Sequence, residues 1–188
     1  MVEIPPKLRE KPFSLNQAIK QGVSRYGLNK LLAKGIVELV VRGVYRVIQD
    51  DYSEEDQYRI ATLRVDTPSA ICLVSALSHY GLTDAIPKKT WIMVPASKRT
   101  NQADFKLLRT RNPHWNVGIE KRDGYSITTL ERTIVDVLCA RARIGTQIGT
   151  EALLKAIQSK ETTLGKIMDM AVKLKVDHRI RPYIEALA

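Results

Sequence analysis

Side chains of the types that recognise nucleic acid lie close together near the N-terminus, at helical spacing. Asn29 is of the type that forms paired hydrogen bonds with adenine, and Arg25 or Lys30 could reach guanine or a phosphate. Arg42 and Arg46 follow and are suited to the DNA backbone or the minor groove. Surface helices that bind nothing also carry lysine and asparagine, so the elements that position these residues decide the interpretation.

Two short helices should carry the first of these residues. Ser14 with Gln17 forms a capping box for the first helix, and Gly22 can end that helix because glycine enters the left-handed region at low cost. Ser24 is the expected N-cap of a second helix, which Gly35 would stop. Leucines at helical spacing give this second helix an inward face: Leu28, Leu31 and Leu32.

A hairpin should follow the second helix. Val37, Leu39 and Val41 alternate as in a half-buried strand, Arg42-Gly43 can turn the chain, and Val44–Val47 returns. Two helices with a glycine in their turn, followed by a basic hairpin, predict a winged helix-turn-helix whose second helix lies in the major groove. Winged helices also serve as protein-docking modules, and that alternative stays open here.

Composition favours a polyanionic partner. The 188 residues carry a formal net charge of +10 and have a sequence pI of about 9.7, as nucleic-acid-binding proteins often do. Cys72 and Cys139 show no metal-binding spacing and are expected to be buried free thiols. The N-terminal stretch lacks the apolar core of a signal peptide, and no stretch reaches membrane-spanning length. We therefore expect a cytoplasmic protein without a membrane partner.

An acidic run from Asp50 to Asp56 interrupts the basic character and predicts a domain boundary there. We expect a winged helix-turn-helix domain over residues 1–49 and a second domain over residues 50–188. Ser53 should cap the helix that opens the second domain, with acidic residues in its first turn.

The second domain is expected to combine a small mixed sheet with helices, which makes the whole chain α+β. Trp91–Val94 predicts a strand, and Lys121–Gly124 predicts the turn of a hairpin. Thr128 and Glu131 have the spacing of a capping box for the next helix. Three helices should follow, with Pro182 in the first turn of the last.

Three stretches together resemble the AbiEi-type antitoxins and related antitoxin-like transcriptional regulators of bacteria. They are Phe13–Val47, the block LVSALSHYGLTD over Leu73–Asp84, and the block YSITTLERTIVDVL over Tyr125–Leu138. The resemblance implies binding to inverted repeats in the protein's own promoter, as a dimer or as cooperating monomers. It also implies repression of a toxin–antitoxin operon and neutralisation of a nucleotidyltransferase-type toxin. Related regulators also occur without a toxin partner, and that alternative stays open.

The resemblance also assigns roles to residues. The DNA-reading positions would be Ser24, Arg25, Tyr26, Asn29 and Lys30, the wing contacts would be Arg42 and Arg46, and Lys34 would add to phosphate neutralisation. Antitoxin activity would use basic side chains of the second domain, here Lys98, Arg99, Lys106, Arg109, Arg111, Lys121 and Arg122. The alternative interpretation of this second set is a solvated sheet edge that charge protects against aggregation.

Catalysis is not expected. Ser78-His79 with Asp84 lacks a Gly-x-Ser-x-Gly elbow, and neighbouring helical residues point in different directions. Asp84 with Asp104 and Lys106 only loosely matches the magnesium-binding pattern of some nucleases, which remains a weaker alternative. No P-loop or dinucleotide motif occurs, so no cofactor and no metal are predicted.

The polar residues of the two motif blocks fit structural roles better than chemical ones. Arg132 and Asp136 stand at i, i+4 on one helix and should form an ion pair. The remaining polar residues of the blocks are interpreted as helix caps and members of buried ion pairs: Ser75, His79, Thr83, Asp84 and Glu131.

Overall fold

The structure, a computed structural model, describes residues 3–49 and 53–187. The chain divides between Thr67 and Pro68 into two compact units. The sequence predicted this boundary after Gln49, and the structure differs because the helix Glu54–Val65 packs against the strands of the first unit. Asp50 and Asp51, which suggested the earlier boundary, lie outside the described residues.

The first unit pairs a three-stranded antiparallel sheet with three helices. After a short 3₁₀ helix at Pro6–Leu8, the elements are β1 (Phe13–Ser14), α1 (Leu15–Lys20), α2 (Arg25–Ala33), β2 (Val37–Val41), β3 (Val44–Val47) and α3 (Glu54–Val65). The strand order is β1-β3-β2, so the strand that precedes the helices pairs with the last strand of the hairpin.

Local capping chemistry determines where α1 and α2 begin. The Ser14 hydroxyl accepts a hydrogen bond from the Gln17 amide, and the Gln17 side chain accepts one from the Ser14 amide, which confirms the capping box. The Ser24 hydroxyl accepts a hydrogen bond from the Gly27 amide, 3.1 Å away, and so caps α2 as predicted. Gly22, at φ +85°, lets the chain leave α1 in a conformation that other residues rarely adopt.

Side chains from α1, α2 and the sheet form the core of the first unit. Leu28 and Leu31 of α2 are buried in it with Phe13 and Val37, as their spacing predicted. The prediction for Leu39 was wrong, since that side chain is 53% exposed. The pairing of β2 with β3 shifts register between Leu39 and Val41, which breaks the strict inward–outward alternation assumed from the sequence.

An internal ion-pair cluster belongs to α3. Arg59 donates to Asp56 at 3.0 Å and to Glu55 at 2.7 Å, and both Arg59 and Asp56 are buried. The acidic residues that suggested a linker therefore partly serve to pack a helix of the first unit. The ion pairs are local, since Arg59 follows the two carboxylates by three and four residues, but the net charge of the stretch does not show that the helix packs on the first sheet.

The second unit is built on a five-stranded mixed sheet. Its elements are β4 (Ala70–Ile71), α4 (Leu73–His79), β5 (Trp91–Pro95), β6 (Lys106–Thr110), β7 (Ile119–Arg122), β8 (Tyr125–Thr128), α5 (Leu130–Cys139), α6 (Arg141–Ile144), α7 (Thr146–Gln158), α8 (Leu164–Lys173) and α9 (Asp177–Glu185). The strand order is β6-β5-β4-β8-β7, with parallel pairs β4/β8 and β5/β6 and the other pairs antiparallel. The α+β class and the small mixed sheet are thus as predicted.

Helix α5 lies at the centre of the second unit and packs against α4, α7, α8 and α9. Its predicted inward residues, Ile134, Val135 and Leu138, are all buried. The N-cap is Thr129 and not Thr128, because the Thr128 hydroxyl is buried against that of Thr133, 2.7 Å away.

The last helix of the second unit differs from the prediction made from the sequence. Pro182 lies inside α9 and not in its first turn, because that helix begins at Asp177, earlier than the apolar rhythm indicated. No helix in the described ranges has the length and apolar character needed to cross a membrane.

Candidate nucleic-acid interface

Helix α2 has two chemically different faces. Leu28 and Leu31 pack inward, whereas Arg25, Asn29 and Lys30 are exposed. Because the buried leucines fix the rotation of the helix about its axis, the polar residues are held on one outward face. The predicted reading residues therefore share a surface.

The side chains on this outward face of α2 have few competing partners. Arg25 and Asn29 make no side-chain hydrogen bond or ion pair within the described part of the chain. The Lys30 ammonium lies 4.7 Å from the ring centroid of Tyr26, a cation–π contact that leaves Tyr26 69% exposed. The sequence has no Asp or Glu between Glu10 and Glu38, so no carboxylate of α1 or α2 neutralises this face.

The two ends of α2 hold the remaining predicted residues of this region. Ser24 is exposed but already uses its hydroxyl as the N-cap, so its primary role in the fold is to define where the helix starts. Lys34 is the C-cap residue, and its side chain is exposed. The two residues thus flank the outward face of α2 at its opposite ends.

The hairpin offers one exposed arginine and one paired arginine. Arg42 is exposed in the turn between β2 and β3 and has no side-chain partner within the described residues. Arg46 donates its Nε–H to Glu38 at 2.5 Å across the strand pair β2/β3. Both arginines were expected to be available to DNA, but Glu38 compensates the charge of Arg46.

The basic residues predicted as one surface in the second unit lie at two separate edges of its sheet. Lys106, Arg109 and the nearby Lys98, Arg99 and Arg111 belong to the β5–β6 edge, whereas Lys121 and Arg122 lie on β7 at the other edge. Four strand-to-strand spacings lie between β6 and β7, which places the edges roughly 19 Å apart at the usual spacing. The grouping inferred from sequence proximity is therefore not maintained in space, because β4 and β8 intervene.

Several of these edge residues already have partners. Arg109 donates to the backbone carbonyls of Lys98 and Thr100 and so holds the loop after β5. Arg122 forms an ion pair with Glu120 at 2.7 Å. These contacts agree with the alternative interpretation, in which charge protects and braces the sheet edges.

Tyr80 connects α4 to the β7 edge. Its hydroxyl lies 2.9 Å from both the Glu120 carboxylate and the Thr128 carbonyl. Burial and the hydrogen bond to Glu120 raise the pKa of the Tyr80 hydroxyl well above its usual value. The tyrosine is therefore a neutral hydrogen-bond donor at physiological pH.

Arg132 of α5 is the most deeply buried cation of the second unit, at 2% exposure. It forms the predicted pair with Asp136 at 2.8 Å and also donates to the carbonyls of Trp115 and Val117. A Cβ added at Gly118, whose φ is +68°, would lie 2.9 Å from the Cβ of Arg132, so this glycine permits the close approach of loop and helix. The sequence showed the i, i+4 pair but not the carbonyl contacts, which join distant segments.

The other polar residues of the motif blocks mostly have structural partners. The Ser75 hydroxyl accepts from the Trp91 amide, the Thr83 hydroxyl accepts from the Ala85 amide, and Glu131 accepts from the Thr162 hydroxyl. These contacts are structural, as predicted, although they are hydrogen bonds and not the helix caps or buried ion pairs expected from the sequence.

The residues considered for catalysis are not assembled into an obvious reactive group. His79 packs edge-on against Tyr125, with ring centroids 6.4 Å apart. Asp84 is fully exposed, and its carboxylate lies 4.0 Å from the Lys155 ammonium. Asp104 is exposed before β6. Among the described residues, no three His, Cys, Asp or Glu side chains cluster in a way that could hold a metal ion.

The sequence reasoning missed two arginines that the fold brings beside Arg109 and Arg111. Arg143 of α6 and Arg179 of α9 line the same cavity as those two residues. No periodicity or motif could have indicated this grouping, because the four residues come from three segments far apart in the chain.

No protein-family model matches the sequence, and no curated protein matches it significantly. Among solved structures, the chain is similar to the crystal structure of the RV2827C protein from Mycobacterium tuberculosis, at 13% sequence identity and a TM-score of 0.49. That similarity covers 93% of this chain and 76% of the other. It carries no conclusion about function, so the α+β class stands on the elements described above.

Proposed function

We propose that the chain is a DNA-binding transcriptional regulator that uses the first unit as a winged helix-turn-helix. The observation that carries the proposal is the outward face of α2, where Arg25, Asn29 and Lys30 are exposed and no carboxylate of α1 or α2 neutralises them. Such a face retains its donors for base edges and phosphates.

The connectivity of the first unit supports the winged-helix interpretation. A four-residue turn, Gln21–Ser24, joins α1 to α2 and contains Gly22 at positive φ, as helix-turn-helix motifs commonly do. A hairpin follows α2 directly, and its turn carries Arg42. In this arrangement α2 would enter the major groove while the hairpin turn would approach the backbone or the minor groove.

Each basic residue would then have a distinct role. Asn29 would read a base, and Arg25 and Lys30 would contact guanine or phosphate. Arg42 would bind the backbone. Arg46 would contribute less, since Glu38 already neutralises it.

The resemblance to AbiEi-type antitoxins supports the finer part of the proposal. On that basis the regulator would bind inverted repeats in its own promoter and would counter a nucleotidyltransferase-type toxin. Of the two sheet edges, we assign toxin contact to the β5–β6 edge, which carries five of the seven basic residues predicted for that surface. Co-expression of the chain with its neighbouring gene tests this part, with Lys106→Glu as the surface variant and Lys121→Glu, at the opposite edge, as its control.

A titration of duplex DNA tests the DNA-binding proposal. The full chain is titrated by fluorescence anisotropy with the duplex from upstream of its own gene and with a shuffled duplex, at two salt concentrations. Specific binding that weakens with salt is expected, and the slope of log K against log salt should decrease in magnitude by about 0.9 for each phosphate that is no longer neutralised. Arg25→Gln and Lys30→Gln should each reduce this slope, whereas Lys7→Gln, an exposed lysine outside α2 and the hairpin, should not.

A protein-docking module is the second candidate, and exposed apolar side chains favour it. Ile19 and Leu39 are each more than half exposed in the first unit, in addition to Tyr26. If the chain binds both duplexes equally weakly, and the α2 variants change neither the affinity nor its salt dependence, the DNA-binding proposal is wrong. If the Leu39→Asp variant then failed to bind a protein partner that the unsubstituted chain binds, with DNA affinity unchanged, the first unit would be a protein-docking module.

A further inference from the structure

The second unit contains a cavity of about 300 Å³ whose lining residues include five arginines from separate elements. It lies between the end of β6, the C-terminal half of α5 and the start of α9. The arginines are Arg109, Arg111, Arg132, Arg143 and Arg179. Asp136 is the one acidic residue among the described residues that line it. Cations that repel one another across a cavity favour an anion between them.

The floor of the cavity holds a buried guanidinium that retains capacity to donate. Arg132 uses Nε for Asp136 and Nη1 for the carbonyls of Trp115 and Val117. Its Nη2 lies 3.7 Å from the sulfur of Met93, which is a weak acceptor. The guanidinium is thus held rigidly while one of its nitrogens lacks a strong acceptor.

Two further contacts fix the walls of the cavity. Arg179 donates to the carbonyl of Cys139 at 2.7 Å, which places its guanidinium over the C-terminal end of α5. Asn112 donates to the carbonyl of Leu174 at 2.9 Å and so joins the segment after β6 to the end of α8. The site is therefore held by long-range hydrogen bonds and does not depend on one flexible loop.

Two arginines at the rim are available to a ligand. Arg111 and Arg143 are exposed, and neither side chain has a hydrogen bond or ion pair within the described residues. They come from different segments, one after β6 and one on α6. Arginine side chains that converge from different segments are characteristic of phosphate recognition, because the guanidinium matches phosphate oxygens in pairs.

We propose that this cavity binds a small phosphorylated molecule, with the phosphate groups held by Arg111, Arg143 and Arg179 above the buried Arg132. Phosphate groups match the site better than a single carboxylate, since several cations face one volume and only one carboxylate offsets them. The volume is at the lower limit of ordinary ligand pockets, which restricts the ligand to a compact one. The proposal is independent of DNA binding by the first unit.

Isothermal titration of the full chain with pyrophosphate at constant ionic strength tests the site. Saturable one-to-one binding is expected, with pyrophosphate binding more tightly than acetate. The double variant Arg111→Gln/Arg143→Gln should weaken pyrophosphate binding about a hundredfold, since each charge-assisted contact contributes roughly tenfold. Both side chains are exposed and have no partner in the described ranges, so the variant should fold normally. Arg181→Gln, which removes an exposed arginine of α9 outside the cavity, is the matched control.

Three outcomes would overturn the proposal. The first is the absence of saturable pyrophosphate binding at millimolar concentrations. The second is weakening by Arg181→Gln of half the logarithmic effect of the double variant or more, since a loss in proportion to the charge removed would indicate non-specific charge attraction. The third comes from a parallel titration with duplex DNA: a double variant that loses DNA affinity but binds pyrophosphate as tightly as the unsubstituted chain would make the two arginines part of a DNA surface instead.

Discussion

The α2–hairpin surface of the first unit and the α5–β7 region of the second unit use their basic side chains in opposite ways. In the first unit Arg25 and Arg42 are exposed and unpaired within the described residues. In the second unit Arg132 is buried against a carboxylate and two carbonyls, and Arg122 is paired with Glu120. A cation whose donors are satisfied stabilises the fold, whereas an unpaired and exposed cation keeps its donors for a ligand. The comparison shows that the partners of a basic residue, more than the number of basic residues, indicate a binding surface.

The largest effect is expected where a buried, paired cation is removed. Arg132→Ala should lower the free energy of unfolding of the second unit by about 3–5 kcal/mol, because it leaves a buried carboxylate and two carbonyls without their partner. Urea unfolding followed by tryptophan fluorescence measures this, since both tryptophans, Trp91 and Trp115, lie in the second unit.

The exposed Arg143 provides the control for Arg132. Arg143→Ala should change the free energy of unfolding by less than about 0.5 kcal/mol, since its side chain has no partner within the described residues. Equal destabilisation by the two substitutions would remove the distinction between paired and unpaired arginines on which the comparison depends.

The second prediction concerns the exposed face of α2. Asn29→Ala should reduce discrimination between the specific and the shuffled duplex by about 1–3 kcal/mol, because alanine cannot form the bidentate hydrogen bonds to a base. Arg42→Ala should instead weaken binding to both duplexes by the same factor, because it removes a contact to the DNA backbone. Paired anisotropy titrations of each variant measure the two effects. An Asn29→Ala variant that keeps full discrimination would mean that another face reads the DNA.

Both predictions depend on patterns that are local in the sequence. The caps at Ser14 and Ser24, the inward leucines of α2 and the Arg132–Asp136 pair all depend on residues within one or two turns of each other. Such local patterns are readable from the sequence, and the structure contains them. The outward face of α2 follows from them, because buried leucines determine which side of the helix is exposed.

Features that depend on distant segments could not be read from the sequence. The two-residue strand β4 separates β5 from β8 in the sheet, and this strand order moves Lys121 away from Lys106. The register shift near Leu39 likewise depends on the partner strand β3. The domain boundary was misplaced for a related reason, since the acidity of α3 gave no sign of its packing on the first sheet.

The third prediction separates the structural role of Ser24 from its proposed DNA role. Ser24→Ala should destabilise α2 by about 1 kcal/mol, since the Gly27 amide loses its capping acceptor. Ser24→Asp should keep the cap, because aspartate is an equally good N-cap, yet should weaken DNA binding by placing a negative charge beside the phosphates. Amide hydrogen exchange of α2 reports the first effect, and anisotropy titration reports the second. If Ser24→Asp binds DNA as tightly as the wild type, the start of α2 does not face the duplex.

The smallest expected effect concerns Tyr80, a neutral hydrogen-bond donor of the second unit. It tests whether such a donor stabilises the fold as the paired arginines of that unit do. Tyr80→Phe should lower the free energy of unfolding by about 0.5–1 kcal/mol, because phenylalanine has no hydroxyl to bond with Glu120 and the Thr128 carbonyl.

The raised pKa of Tyr80 in the folded chain gives this contribution a pH dependence. It should be fully present below the ordinary tyrosine pKa of about 10 and should disappear as the pH rises through the higher folded value. Urea unfolding of both proteins from pH 8 upward, followed by tryptophan fluorescence, measures the difference between them. A difference that stayed constant across this range would mean that Tyr80 ionises equally easily in the folded and unfolded chains, and that burial and Glu120 do not hold its proton.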